Sequence, residues 1–507
     1  MDAKNPIKYV VVGGGIAGVT CVETLSVFGD SASITLLSAS PLIKTVVNYS
    51  KLTQVAETFD VKEKPIVSVE EKNSNVHVIQ TSVTSLSTKD KKIYTSDGCS
   101  ITYDKLCICT GGKPRVIAEG NPLVIGIRDT ESVKDFQNKV RKARRIVIIG
   151  NGGIATELVY ELEGCEVIWA IKDTSIAHTF VDAGAGEFFL EHLNKDKDKT
   201  PAGPSKRLKY TTAEAGEPGI PLPSGHDGGA LGPDWTRDLE IRGHLDQISH
   251  RVHVEKGVEV DTILSPDEFK ESGMEESSPW SHTSGVNNTA GNDFLLTALW
   301  PVYITFSNGR VYGCDLVVSA TGVVPNARFT EERDGDSQFE LAEDGGIKIN
   351  SHMETNLDSV YAAGDVCTAC WEHSPHWLQM RLWSQARQMG CYAAKCMIAD
   401  VKNEDISMDF CFELFAHVTT FFRFKVVLLG KFNGQSLGND YEVLLRVTKG
   451  EEYVKVILQN GRLVGAVLIG ETDLEETFEN LILNGLDLTP FKENLLEPGV
   501  DVEDFFD

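Results

Sequence analysis

The stretch Lys8-Tyr-Val-Val-Val-Gly-Gly-Gly-Ile-Ala-Gly18 decides the fold of this chain. It joins a β-branched run, which suits a buried parallel strand, directly to glycines with the spacing GxGxxG. Apolar residues then recur at helical spacing as far as Phe28, and Ile34-Thr-Leu-Leu37 has the composition of a second strand. Strand, glycines, helix and strand in this order predict a βαβ unit that binds a dinucleotide.

The three glycines of this fingerprint have separate tasks. Gly13 is expected to form the tight turn, Gly15 to let the backbone approach a pyrophosphate, and Gly18 to let the helix pack closely on the sheet. Ile16 and Ala17 begin the helix, whose free N–H groups and positive dipole end attract phosphate. The dinucleotide is therefore expected at the loop and the first helical turn.

The same pattern returns at Arg145-Ile-Val-Ile-Ile149, which runs into Gly150-Asn-Gly-Gly-Ile-Ala155 with the spacing GxGxxA. An apolar helical face follows, and Glu166-Val-Ile-Trp-Ala170 supplies the next strand. Two such units in one chain predict two bound dinucleotides. This is the arrangement that brings a nicotinamide against a second redox ring.

The composition is that of an ordinary globular protein, and 507 residues are too many for one hydrophobic core, so about three domains are expected. A formal net charge of −26 argues against nucleic acid as a partner, because such binding needs cationic groups. No apolar stretch approaches the ~20 residues of a membrane helix, and the first strand begins too early for a signal peptide to precede it. The 11 cysteines, scattered through apolar segments, are typical of reduced thiols. The protein is therefore expected in the cytoplasm and nucleus.

Further segments resemble the pyridine nucleotide-disulfide oxidoreductase family of flavoproteins. Tyr103-Asp-Lys-Leu-Cys-Ile-Cys-Thr-Gly111 is similar to the strand and turn that return the chain to the FAD site. Cys314-Asp-Leu-Val-Val-Ser-Ala-Thr-Gly322 is similar to the exit from the NAD(P)H domain. The most specific match, Thr355-Asn-Leu-Asp-Ser-Val-Tyr-Ala-Ala-Gly-Asp365, is similar to the family's second FAD fingerprint.

The resemblance implies an α/β fold with two Rossmann-like domains and a C-terminal α+β domain, and hydride transfer from nicotinamide to flavin. The residues that it assigns to FAD are Gly13, Gly15, Ile16, Ala17, Gly18, Ser38, Val83, Thr110, Gly111 and Asp365. Those assigned to NADH or NADPH are Gly150, Gly152, Gly153, Ile154, Ala155, Glu157, Lys172 and Gly322. Asp365 would bind the ribityl and phosphate side of FAD. No metal ligand is assigned.

The sequence departs from the family where a redox cysteine should stand. Family members carry a cysteine pair or a single cysteine shortly after the first βαβ unit, but Ser38-Ala-Ser-Pro-Leu-Ile-Lys-Thr-Val-Val-Asn48 contains none. The usual thiolate relay to a disulfide is therefore in doubt. Cys367 and Cys370 have CxxC spacing directly after Asp365, and with Lys44 they are the catalytic candidates.

A second departure concerns the ribose hydroxyls, which a carboxylate about twenty residues beyond the glycines normally binds. Ser38 takes this place in the first unit. In the second unit, Lys172 would tolerate a 2′-phosphate and the adjacent Asp173 would bind a free ribose. The sequence therefore leaves both NADH and NADPH open.

The expected domains are an FAD-binding domain at 1–132 and 326–404, an NAD(P)-binding domain at 133–325, and a C-terminal α+β domain at 405–507. Polar segments at about 195–232 and 265–292 are interpreted as inserted loops. In the C-terminal domain, strand-like runs surround a hairpin signal at Asn460-Gly461 and precede a helix from Asp473 to Leu483. The acidic tail 497–507 is either a frayed terminus or a docking peptide.

Three functions follow from these features. The first is an FAD-dependent NAD(P)H oxidoreductase without relay thiols. The second is a binding protein with slow catalytic turnover, whose affinity for a partner depends on bound nucleotide. The third is a disulfide reductase acting through Cys367 and Cys370. The run Ala466-Val-Leu-Ile-Gly-Glu-Thr-Asp473 resembles an animal member of the family. That resemblance implies protection of the tRNA ligase complex from oxidation, with the tail as a possible contact.

Overall fold

The computed structural model describes residues 6–29, 32–127, 130–193, 241–245, 248, 250–280, 299–327, 331–332 and 338–497. The segment expected as a loop at about 195–232 lies outside the described residues, and so does the acidic tail beyond Glu497. Within the described ranges, no helix combines the length and the apolar character that crossing a membrane requires.

Five parallel strands form the sheet that carries the first glycine loop. Their order is Val360–Ala362, Lys105–Ile108, Lys8–Val12, Ser33–Ser38 and Val76–Gln80. Lys8–Val12 lies in the middle, where its apolar run is buried from Tyr9 onward. The helices Ile16–Phe28 and Trp383–Lys402 pack against each other beside this sheet.

A second parallel sheet of five strands carries the second glycine loop. Its order is Val124–Gly126, Leu316–Ser319, Arg145–Ile149, Glu166–Ile171 and Arg251–Lys256. The longer helices of this part are Thr130–Val140, Gly153–Glu161 and Ala183–Leu193. An antiparallel layer of Val260–Leu264, Val302–Phe306 and Val311–Cys314 completes the domain.

Short pairings join these domains and cover their edges. Gly112–Pro114 follows the first Thr-Gly turn and pairs with Val323–Pro325, which follows the second. One two-stranded ribbon therefore links the two domains. A long hairpin, Leu42–Lys51 with Glu57–Pro65, follows the first sheet's second strand. The remaining elements are the strands Val83–Ser87, Lys92–Thr95, Ser100–Thr102 and Glu331–Glu332, the pair Ile347–Ile349 and Cys367–Ala369, and the helix Val67–Lys72.

The C-terminal domain is an antiparallel sheet with one helix packed on it. The strand order is Ala416–Phe421, Phe424–Gly430, Arg462–Ile469, Glu452–Gln459 and Glu442–Thr448, preceded by a short 3-10 turn at Phe410–Phe412. Asn460 and Gly461 have φ of 51° and 72°, as a two-residue hairpin turn requires. The helix runs from Glu475 to Asn484, two residues later than the sequence predicts at its start. The α+β prediction for this domain is confirmed.

One sequence prediction is wrong in part. The segment 265–292, interpreted as a loop, begins with the helix Pro266–Ser272. Ser265 caps this helix, and Glu268 reaches back to the Ser265 backbone in a reciprocal capping box. The spacing Ser-x-x-Glu with a proline between was therefore a helix signal that outweighed the polar composition. Residues 281–292 lie outside the described residues.

Candidate functional site

One continuous cavity of about 1720 Å³ receives both glycine-rich loops. The loops at Gly13 and Gly150 lie on its wall together with the turns that end at Gly111 and Gly322. Of the residues assigned to nucleotide binding from the sequence, all except Gly18 and Ala155 line this cavity. The structure therefore brings the two expected nucleotide sites into one space.

The two loops share a backbone geometry that requires glycine. Gly13 has φ of +122°, and a Cβ built on it would lie 2.1 Å from the Cys109 carbonyl oxygen. Gly150 has φ of +127°, and its Cβ would lie 2.1 Å from the carbonyl oxygen of Ala320. Gly18 does not reach the cavity, but a Cβ there would lie 1.9 Å from the Gly13 carbonyl oxygen. Gly18 thus allows the helix to pack closely, and the fully buried Ala155 lies in the core of its own domain.

The helices Ile16–Phe28 and Gly153–Glu161 both begin at the cavity without an internal cap. Their N-cap residues, Gly15 and Gly152, make no side-chain hydrogen bond, and neither first turn contains an acidic residue. Nothing lies within 4 Å of a Cβ built on either glycine. The unused N–H groups and the positive dipole ends are thus open to an anion. These two places fit the diphosphates of two dinucleotides.

Asp365 lies on the cavity wall at the end of the second FAD fingerprint. Its backbone follows Gly364, which has φ of +82°. The Arg381 guanidinium donates to the Asp365 main-chain oxygen at 3.0 Å and pairs with Asp344 at 2.7 Å. Arg381, which the sequence analysis missed, therefore ties the fingerprint loop to the approach of the helix Trp383–Lys402.

Buried hydroxyls on the cavity wall fit a ligand rich in polar atoms. Thr81 and Ser384 are 9% and 6% exposed, and neither side-chain oxygen has a hydrogen-bond partner in the described chain. The Thr81 N–H donates to the main-chain oxygen of Ser38 at 2.9 Å, which places Thr81 beside the expected ribose position. Leaving a buried polar group unpaired costs about 1–3 kcal/mol. FAD, with its ribose, ribityl and diphosphate groups, is a ligand that this wall fits.

At the second site, Lys172 and Asp173 follow the strand Glu166–Ile171 and both line the cavity. The Asp173 carboxylate accepts a hydrogen bond from the Asn151 amide at 2.8 Å. Lys172 is exposed and has neither an ion pair nor a hydrogen bond with any described residue. The Lys172 ammonium is thus available to a 2′-phosphate, while Asp173 keeps lone pairs for a ribose hydroxyl.

The segment without a redox cysteine forms the hairpin Leu42–Lys51/Glu57–Pro65. Lys44 lines the cavity with its ammonium 5.1 Å from the centre of the Trp383 ring. Glu57, which the sequence analysis did not single out, is 8% exposed and also lines the cavity. Its Oε2 accepts a hydrogen bond from Arg387 at 2.8 Å, whereas Oε1 has no partner among the described residues. Burial raises the pKa of Glu57, although Arg387 acts in the opposite direction.

The CxxC candidates do not form part of the cavity wall. Cys367 is fully buried, its thiol donates to the Gly364 carbonyl at 3.2 Å, and burial raises its pKa well above the ordinary value. Cys370 is exposed, and both cysteines are unpaired thiols. In the described ranges, Cys109 alone among cysteines lines the cavity, and the Cys107 thiol together with burial raises its pKa. This geometry speaks against a disulfide relay at the cavity.

Metal-binding side chains do not gather elsewhere in the part of the chain that the structure describes. No group of three or more histidine, cysteine, aspartate or glutamate residues is arranged there to hold an ion.

Family models match most of the chain. The model described as pyridine nucleotide-disulphide oxidoreductase matches residues 7–198 and 244–390. The model described as rubredoxin NAD+ reductase C-terminal domain matches residues 421–486. These matches agree with a nucleotide-binding part followed by a separate C-terminal domain.

Similar proteins cover the full length. Proteins named pyridine nucleotide-disulfide oxidoreductase domain-containing protein 1 are 52% identical in Mus musculus and 51% identical in Homo sapiens, in each case over 100% of this chain and of the relative. The relative of the same name in Dictyostelium discoideum is 37% identical over 99% of both chains.

Solved structures show the same fold at low identity. The water-forming NADH oxidase from Lactobacillus brevis is 14% identical with a TM-score of 0.61, covering 95% of this chain and 91% of that chain. A NAD-dependent persulfide reductase from A. fulgidus is 17% identical with a TM-score of 0.61, covering 95% of this chain and 77% of the other. The expected α/β fold class is confirmed. The full-length relatives also confirm the resemblance seen in the sequence, and the chain belongs to the pyridine nucleotide-disulphide oxidoreductase family.

Proposed function

We propose that the protein is an FAD-dependent NAD(P)H oxidoreductase that works without a thiol relay. The shared cavity carries this proposal, because two uncapped helix N-termini and both Thr-Gly turns lie on its wall. The thiols of the described chain are either absent from that wall or buried with raised pKa. FAD, when bound, would supply the electrophilic ring that accepts a hydride from nicotinamide.

The contribution of the chain is placement. The helix beginning at Ile16 would hold the FAD diphosphate, and the helix beginning at Gly153 would hold that of NAD(P)H. The Asp365 carboxylate would accept hydrogen bonds from FAD hydroxyl groups. Holding two reactants in one cavity turns an encounter between two molecules into a step within one complex, which is a large part of the acceleration that such a site needs.

An anaerobic experiment tests this proposal. Purified protein carrying FAD is mixed with NADH or NADPH while the visible flavin absorbance is recorded. Loss of the absorbance with either nucleotide supports the proposal. A protein that refuses FAD, or a flavin that neither nucleotide reduces, overturns it. Admission of oxygen then measures how long the reduced state lasts.

We also propose that nucleotide binding controls association with a protein partner in the cytoplasm and nucleus. Among the described residues no accessible thiol lines the cavity, so the reduced flavin persists until another acceptor binds, and a partner can recognise that state by its conformation or charge. The sequence resemblance alone suggests the tRNA ligase complex as that partner. Capture of the purified complex should rise in the presence of NADH or NADPH, and capture independent of nucleotide would exclude the linkage.

A further inference from the structure

The cavity has a wall that neither glycine loop provides. It consists of the hairpin Leu42–Lys51/Glu57–Pro65 and the strand Ala416–Phe421, which pack against each other and both line the cavity. We call this the C-terminal wall. Trp383, at the start of the long helix, lines the same space.

The strand Ala416–Phe421 presents unused main-chain groups along this wall. It is an edge strand, and within the described chain no second strand pairs with its free side. The Gly430 N–H donates to the Phe415 carbonyl at 2.8 Å, and in an antiparallel pair the bonded positions alternate. Val418 and Thr420 therefore direct their N–H and C=O groups towards the free edge, and both residues line the cavity.

Three side chains on the C-terminal wall also have unused hydrogen-bonding capacity. Glu57, His417 and Thr419 are 8%, 9% and 8% exposed. Glu57 Oε1 and His417 Nδ1 have no partner in the described ranges, and the Thr419 hydroxyl makes no hydrogen bond with described residues. All three line the cavity. Because unpaired buried polar atoms are costly, this wall fits a ligand that can bond to them.

The charges on this wall favour an uncharged ligand. Burial lowers the pKa of His417 to about 4, so its imidazole is neutral at physiological pH. Burial also raises the pKa of Glu57. The positive charges of Arg387 and Lys51 and a hydrogen bond from Tyr49 act in the opposite direction and lower it. Burial raises the pKa of the Cys411 thiol, and the negative charges of Asp409 and Glu57 act in the same direction.

The hairpin brings both signs of charge to the cavity wall, because Lys44 lines the cavity as well as two carboxylates, so these charges do not select an anion. Asp60 is exposed and Glu63 is partly exposed, and both belong to the hairpin and line the cavity. Phe59 and Trp383 provide apolar aromatic surface beside them. A flat, neutral molecule with hydrogen-bond acceptors matches this combination of walls.

We propose that the C-terminal wall binds the electron acceptor and that the acceptor is a neutral compound of the quinone class. This inference rests on the NAD(P)H oxidoreductase function proposed above. The quinone carbonyl oxygens would accept hydrogen bonds from the Thr419 hydroxyl and the Thr420 N–H. A disulfide acceptor would need a thiolate partner, which this wall lacks.

The overall reaction balances as quinone plus NAD(P)H plus one proton giving hydroquinone plus NAD(P)+. The C4–H bond of the nicotinamide breaks, and its hydride carries the two electrons and one hydrogen. The second hydrogen comes from solvent as a proton, delivered to a quinone oxygen by the Glu57 carboxyl group, which solvent then protonates again. Glu57 would thus be a general acid of the acceptor half of the reaction.

The test uses the full-length, FAD-loaded protein under anaerobic conditions. Protein reduced by NADH or NADPH is mixed with menadione or with 1,4-naphthoquinone-2-sulfonate, its anionic counterpart. We expect saturable reoxidation of the flavin by menadione, with a KM at least tenfold lower than that for the sulfonate. Calorimetric titration of menadione into the oxidised protein measures binding without turnover.

Variants separate a binding role from a structural one. Thr419→Val should raise both the KM and the calorimetric Kd for menadione at least fivefold. Thr448→Val is the surface control, because Thr448 is exposed on the opposite edge strand of the same sheet and its hydroxyl bonds to Glu452, so it should change neither value. Glu57→Gln should lower the reoxidation rate and flatten its pH dependence, with menadione binding retained.

The outcomes distinguish the two proposals. No calorimetric binding of menadione, or reoxidation that is not saturable and is insensitive to Thr419→Val and Glu57→Gln, overturns the quinone inference. In that case normal bleaching of the flavin by NADH or NADPH leaves the oxidoreductase function standing. A flavin that neither nucleotide reduces overturns that function instead, whatever menadione binds.

Discussion

A Cβ placed on Gly13 would lie 2.1 Å from the carbonyl oxygen of Cys109. The loop and the end of the neighbouring parallel strand are therefore in direct backbone contact beside the cavity. Gly150 and Ala320 repeat the same contact in the second domain. The two glycine-rich loops thus share one geometry, in which the first glycine is required by packing as well as by its positive φ.

Replacement of Gly13 by alanine should abolish retention of FAD. The new methyl group must displace either the loop or the Cys109 strand end, in addition to a backbone strain of about 1–3 kcal/mol. The ratio of flavin to protein absorbance after purification measures the effect. Gly98→Ala is the control, since Gly98 has φ of +83° but nothing within 4 Å of its Cβ position. Equal loss of FAD in both variants would show that strain alone, and not the close contact, is responsible.

Lys172→Ala should raise the KM for NADPH about tenfold or more and leave that for NADH nearly unchanged. A hydrogen bond to a charged group contributes about 1.5–3 kcal/mol, and Lys172 is a cavity-lining cation with no partner among the described residues. Initial rates with both nucleotides give the two KM values. Lys113→Ala removes an exposed lysine that does not line the cavity and should change neither. An equal rise in the KM for NADH and in the KM for NADPH would exclude a contact between Lys172 and the 2′-phosphate.

Both glycine-rich loops could be predicted from the sequence because their pattern is local. A strand, three glycines and a helix stand next to each other in the chain, as do Asn460 and Gly461 in the C-terminal hairpin. The contacts that build the C-terminal wall are not local. Glu57 accepts a hydrogen bond from Arg387, which lies 330 positions later in the chain. The hydrophobic periodicity of neither segment indicates that these two residues meet. The same limitation explains why the hairpin itself, which replaces the expected cysteine-bearing segment, was not foreseen.

A second long-range contact should contribute measurably to stability. Glu479, fully buried on the helix Glu475–Asn484, accepts hydrogen bonds from the Thr53 hydroxyl and from the Val55 N–H at 3.1 Å. Glu479→Gln should lower the free energy of unfolding by about 1–3 kcal/mol, because an amide can accept at only one of its two positions. Urea unfolding measures this change. Glu476→Gln, on the exposed side of the same helix, should have almost no effect. If both substitutions lower the free energy of unfolding equally, the hydrogen bonds of Glu479 do not contribute to stability.

Replacing Cys370 by serine should leave NAD(P)H oxidation unchanged. The Cys370 side chain is exposed and lies off the cavity wall, so the substitution removes the CxxC pair without disturbing packing. Rates of NAD(P)H consumption are measured with a disulfide substrate and with menadione, to compare disulfide reduction with quinone reduction. Loss of thiol release in this variant would restore the disulfide reductase hypothesis.

His417 should make the stability of the protein depend on pH in a defined window. Its pKa is lowered by burial from 6.5 to about 4, so between these values the unfolded chain binds more protons than the folded chain. The free energy of unfolding therefore falls as the pH drops through this window, by roughly 3 kcal/mol in total at ~1.4 kcal/mol per unit. His417→Phe removes the titrating group. The free energy of unfolding of both proteins is measured in urea without added nucleotide, at several pH values from 7.5 to 4.5. Titration of the carboxylates and of the other histidines affects both proteins equally, so it cancels in the difference between their free energies of unfolding. That difference should move steadily in favour of the variant as the pH falls, and a constant difference would mean that the His417 imidazole titrates normally and is open to water.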